Sequence, residues 1–171
     1  MELEQRVADL ERRLAALEGA GRPEPGPLPT GEGELWALEG LRARIAEAGT
    51  EAADGGVVFT GAVRLPTGER YEWQDGALAG DQFAGDWAEA AESFAALGHP
   101  VRLRLLREIA GGRRTAAELA ELPDLGTTGQ IYHHLRQLTG AGWLHSAARG
   151  RYEIPAGRVV PLLTALAAAR P

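Results

Sequence analysis

Thr115-Ala-Ala-Glu-Leu-Ala-Glu-Leu-Pro-Asp-Leu-Gly-Thr-Thr-Gly-Gln-Ile-Tyr-His-His-Leu-Arg-Gln-Leu-Thr-Gly140 is the stretch whose reading decides the fold. Thr115 and Glu118 stand at capping-box spacing before Leu119 and Leu122, which marks the head of a short helix. Pro123-Asp-Leu-Gly126 is turn chemistry. Thr127 or Thr128 then caps a longer helix that stops at Gly140. At about 100° per residue, Ile131, Leu135 and Leu138 share one side of that helix. Gly129, Tyr132, His133, Arg136 and Gln137 share the other, and no acid stands among them. A short helix, a tight turn and a second helix with a polar outer face form a helix-turn-helix arrangement.

The neighbouring segments extend it. Pro100 suits the first turn of a helix running to about Ala110, with Val101, Leu105, Leu106 and Ile109 turned inward. Gly111-Gly112 ends that helix, and Arg113 and Arg114 follow, placed to hold a phosphate backbone. Beyond Gly140, residues 142–154 read as strand, turn and strand, with Arg149 and Arg151 flanking Gly150 at the tip. Such a hairpin suits a wing lying along phosphates or entering a minor groove. The polar face of the second helix carries donors, acceptors and one aromatic ring, as reading base edges in a major groove requires. Its N-terminal residues Thr127, Thr128 and Gln130 stand where a recognition helix meets bases and phosphate.

Ala95-Ala-Leu-Gly-His-Pro-Val-Arg-Leu-Arg-Leu-Leu106, residues 115–120, and Ile131-Tyr-His-His-Leu-Arg-Gln-Leu138 with the following Gly-Ala-Gly-Trp-Leu appear in one order. Together they resemble the winged helix-turn-helix of ArsR-type bacterial transcriptional regulators, over about residues 92–170. The resemblance implies a homodimer on a pseudo-palindromic operator in double-stranded DNA, acting as a repressor that an effector releases. A cytoplasmic location is expected separately, from the acidic Met1-Glu-Leu-Glu-Gln start and the absence of a membrane-length apolar run. By position it gives base reading to Thr128, Gln130, Tyr132 and His133, and the wing to the Arg149–Arg151 turn. Metal-sensing members of that family use Cys pairs, or His and acidic ligands on the last helix. This chain has no Cys, and residues 157–169 contain no His and no acid. The expectation is a non-metal effector, with no metal and no cofactor.

Charge is divided along the 171 residues. Residues 1–92 carry 8 Arg against 19 acids, and residues 93–171 carry 10 Arg against 5, so balances of −11 and +5 sum to −6. A basic C-terminal half fits a polyanion, and the acidic half has another task. No apolar run reaches the roughly 18 residues of a bilayer span, so no membrane partner is expected. Ser93 and Ser146 are the only serines, and neither lies in a nucleophile-elbow context. An enzyme is not expected.

Upstream, Leu3, Val7, Leu10, Leu14 and Leu17 alternate at heptad a and d positions, which predicts a parallel coiled coil over 1–18. Residues 19–33 hold five Gly and four Pro, a linker composition. A helix is expected at 34–48, then a β-hairpin with Val57, Phe59, Val63 and Leu65 on one strand and Tyr71 and Trp73 on the other. Pro66-Thr67-Gly68 closes it. Residues 75–85 read as loop, and Asp86 with Glu89 as the start of a helix over 87–97. Phe59, Tyr71 and Trp73 are candidates to enclose a small apolar effector against helix 34–48; the competing reading makes them the core of a small subdomain.

The expected architecture is mainly α with small β. A helix-plus-hairpin dimerisation or sensor region spans 34–85, the winged helix-turn-helix spans 86–171, and the last apolar helix makes a dimer contact. The competing function is a protein-interaction module, in which the winged helix docks a protein and the coiled coil drives assembly.

Overall fold

A computed structural model describes residues 35–147 and 150–170. Residues 1–18, expected as a coiled coil, residues 19–33, expected as a linker, and Arg149 lie outside the described residues. Residues 43–171 form one compact unit. It contains the hairpin together with the helix-turn-helix.

Helix α1 (Trp36–Ala48) forms within the expected span, and none of its residues is buried. A 3-10 turn over Gly49–Ala52 leads from it towards the hairpin. Strands β1 (Gly56–Arg64) and β2 (Arg70–Leu78) pair antiparallel in unbroken register, from Gly56 opposite Leu78 to Arg64 opposite Arg70. The turn between them is closed where Leu65 N–H donates to the Glu69 carbonyl at 2.9 Å.

The region expected as loop is ordered differently. β2 continues to Leu78, because β1 is long enough to pair it, and α2 (Ala79–Ala84) follows directly. The helix expected over 87–97 is split. Asp86 accepts from Ala88 N–H and opens a 3-10 turn over Trp87–Ala90, and α3 covers only Ala91–Leu97.

The trihelical centre is α4 (Pro100–Ala110), α5 (Ala116–Ala120) and α6 (Thr128–Gly140). Leu105, Leu106, Ile109, Leu119, Leu125, Ile131, Leu135 and Leu138 are at most 2 % exposed. That is the inward set the helical spacing predicts, plus Leu125 from the turn and less Val101 and Leu122, which are half-buried against the same core. Asp124 takes a left-handed φ of 63° there, which Asp tolerates better than most residues. Gly142 (φ 73°) ends α6: its N–H donates to the Thr139 carbonyl and that of Trp143 to the Leu138 carbonyl, a Schellman closure.

Two short strands, β3 (His145–Ala147) and β4 (Arg151–Glu153), form the wing. A third segment joins them, since Thr115 bridges Arg151 and Tyr152 N–H donates to the Arg114 carbonyl. Trp143 is buried and Tyr152 packs on the core, so both anchor the wing.

The apolar excess of α7 (Ala156–Ala168) has an explanation inside the chain. Val159 and Leu162 join the main core, while both hairpin strands cover the side bearing Val160. At Gly61 of β1 the approach is so close that a Cβ would lie 2.7 Å from Val160 Cγ1. The ring of Trp73 likewise lies over Gly157. Burial against α7 supplies what an isolated hairpin lacks. Leu163 and Leu166 stay exposed, at 39 % and 38 %.

Candidate nucleic-acid interface

The N-terminus of α6 is built by reciprocal capping. Thr127 Oγ1 accepts from Gln130 N–H at 3.4 Å, and Gln130 Oε1 accepts from Thr127 N–H at 2.8 Å. Two roles expected for these residues therefore combine, because the amide oxygen of Gln130 is occupied and its NH₂ is the group left to meet a ligand. Gln137 behaves in the same way. Its Oε1 accepts from Arg102 Nη1 at 2.8 Å, which again leaves the amide donors.

Thr128, Tyr132, His133 and Arg136 are exposed on the same helix, with Tyr132 at 46 %. The exposed face of α6 thus presents N–H and O–H donors around one guanidinium, with no carboxylate on the helix to repel phosphate. Such a face complements edges rich in acceptors, guanine N7 and O6 above all.

The two arginines expected to hold phosphate together are placed apart. Arg113 has a half-exposed side chain 3.1 Å from Glu108, which also pairs with Arg107. Arg114 is only 16 % exposed. Its Nη2 lies 2.5 Å from Glu69 at the hairpin turn, and its Nη1 lies 3.3 Å from Glu153 on β4. The hydrogen bond to Glu69 holds the Arg114 guanidinium above its ordinary pKa and the Glu69 carboxyl below its own. This geometry assigns Arg114 to the junction of hairpin and wing, where it lines a cavity of about 30 Å³ with Tyr71 and Ile154. Arg151 is exposed beside the wing tip.

Of the aromatic trio, Tyr71 packs against the main core and Phe59 is half-buried on the strand covering α7. Trp73 remains 40 % exposed over Gly157. Tyr71 thus faces the main core and Trp73 faces α7, packing that supports the core reading of this trio.

Arg102 is a residue whose role the helical pattern left open. Its Nε and Nη2 donate to the carbonyls of Ala96 and Ala95 at the end of α3, while Nη1 reaches Gln137. One side chain thus satisfies orphan carbonyls of one helix and aligns another. The unfilled C-terminal carbonyls before Gly98-His99-Pro100 were the available signal.

His99 accepts from Val101 N–H at 3.2 Å and caps α4, and its ring lies 4.7 Å from that of His134. Desolvation first, then the nearby His99, Arg102 and His133, hold the His134 imidazole below the usual histidine pKa; a Gln137 hydrogen bond opposes them. The folded chain therefore takes up this proton later than the unfolded chain, whose histidines titrate near about 6.5. Stability should fall as pH drops from about 7 towards 5, before carboxylates protonate. Urea midpoints across that range check it: the decline should flatten in His134→Gln, and an unchanged slope would refute the assignment.

A family model described as a helix-turn-helix domain matches residues 97–146. The matched helix-turn-helix domain runs from the end of α3 through α4, α5 and α6 into β3. No curated protein matches the chain. Among the described residues, no helix is long and apolar enough to cross a membrane.

Proposed function

We propose that the chain is a sequence-specific, DNA-binding transcriptional regulator of the ArsR-like winged type. It would act as a homodimeric repressor on a pseudo-palindromic operator and answer to a non-metal effector. The observation that carries this reading is the donor-rich, acid-free outer face of α6, rigidly capped by Thr127 and Gln130, inside a domain matching the helix-turn-helix model. Base reading falls to Thr128, Gln130, Tyr132, His133, Arg136 and Gln137 through donors. Arg113, Arg149 and Arg151 hold phosphate at its flanks. Leu163 and Leu166 on α7 offer apolar surface to a second copy.

The test is enrichment of genomic fragments on the purified full-length chain. A regulator recovers a small set of fragments sharing an inverted repeat, whereas a module that docks proteins recovers none above background. On a recovered duplex, Arg151→Ala should weaken specific and random binding alike and reduce the salt slope by about 1. Loss confined to the specific duplex would instead make Arg151 a base-reading residue.

A further inference from the structure

Away from α6, the segment from α2 to α3 exposes three large aromatic side chains: Phe83 at 76 %, Trp87 at 68 % and Phe94 at 68 %. Isolated exposed apolar residues need no explanation, but a group of this size marks a binding surface. Trp87 and Phe94 line an open cleft of about 510 Å³ together with Asp81, Asp86 and Glu89. That volume lies within the range of small-molecule sites.

The Trp87 ring is oriented in advance. Its Nε1–H donates to the Gln82 carbonyl at 2.7 Å, and the Phe83 ring stands 6.1 Å away at 31°. Consuming the indole N–H inside the chain leaves the π-face as the feature Trp87 offers a ligand. Every formally charged residue lining the cleft is an acid. A neutral apolar ligand would gain nothing from three carboxylates, and an anion would be repelled. A cation carried on an apolar or aromatic body satisfies both parts of the lining, through ring quadrupoles and Coulomb attraction.

We propose that this cleft binds a small organic cation with an apolar body. The inference stands without the DNA-binding reading, because its test uses the chain alone. Isothermal titration of the full-length protein with tetraphenylphosphonium, and with the isosteric anion tetraphenylborate, separates charge from shape. The phosphonium should bind at least about tenfold more tightly than the borate. Trp87→Ala should weaken it about tenfold, and Glu89→Gln should weaken it severalfold while reducing its salt dependence. Both side chains are exposed, so circular dichroism of the variants should match the parent. Equal or tighter borate binding would overturn the proposal by showing a merely apolar patch. So would an absence of phosphonium binding up to millimolar concentration. If the parent sediments as a dimer, Trp87→Ala as a monomer and neither binds phosphonium, the cleft is an interface between copies and the proposal fails.

Discussion

Arg136→Ala should raise the dissociation constant for the specific duplex by about one to two orders of magnitude while changing random-duplex binding far less. Arg136 is exposed on α6, one turn from Tyr132 and His133, where a guanidinium can reach a guanine edge with two parallel hydrogen bonds. Losing such a bidentate pair costs about 1–3 kcal/mol of discrimination. His133→Ala should act in the same direction with a smaller effect, since one ring nitrogen replaces a fork. Because both side chains are solvent-exposed, the unfolding free energy should stay within about 0.5 kcal/mol of the parent. Gel-shift titrations on specific and random duplexes at two salt concentrations measure both affinities, and urea denaturation measures the stability. Equal losses on the two duplexes would move these residues from base reading to phosphate contact.

Arg114→Ala should produce the opposite profile, a stability loss of about 1–3 kcal/mol with little change in the salt slope of DNA binding. Removing the guanidinium leaves Glu69 and Glu153 facing each other across a partly buried junction without their shared counter-charge. A fully buried pair broken this way costs more; Glu69 is 40 % and Glu153 34 % exposed, which moderates the loss. The cross-check is a double-mutant cycle with Glu69→Gln by urea denaturation. The two losses should fall well short of additive. Additive losses would mean that Arg114 acts elsewhere, and a salt slope lower by about 1 with unchanged stability would return it to the phosphates.

The helix-turn-helix was legible because its information is local. Thr115 with Glu118 and Thr127 with Gln130 announce caps three residues apart, and Ile131, Leu135 and Leu138 announce a buried face at helical spacing. The hairpin turn was equally local. The pairing of Arg114 was illegible for the complementary reason. Its partners stand 45 and 39 residues away, and nothing in Gly-Gly-Arg-Arg distinguishes an exposed arginine from a buttressed one. The same limit applies to α7, whose surplus of apolar residues reads identically whether a second subunit or a distant hairpin covers it. The extension of β2 through Ala77 and Leu78 escaped notice because Asp75-Gly76 resembles a turn, yet Gly76 sits in mid-strand opposite Val58. Pairing with a long neighbour outweighed weak strand propensity. The donor-only character of Gln130 and Gln137 also required structure, because an amide's free end is defined by what holds the other.

The hairpin lying over Val160 also limits how the gene could be shortened. A fragment trimmed to begin near residue 86 would keep every part of the reading head, yet would bare a sticky flank of its closing helix and lose the carboxylate that steadies Arg114. Such a fragment should clump or partly melt unless that flank were rewritten with polar side chains, so this reading head is inseparable from its upstream cover.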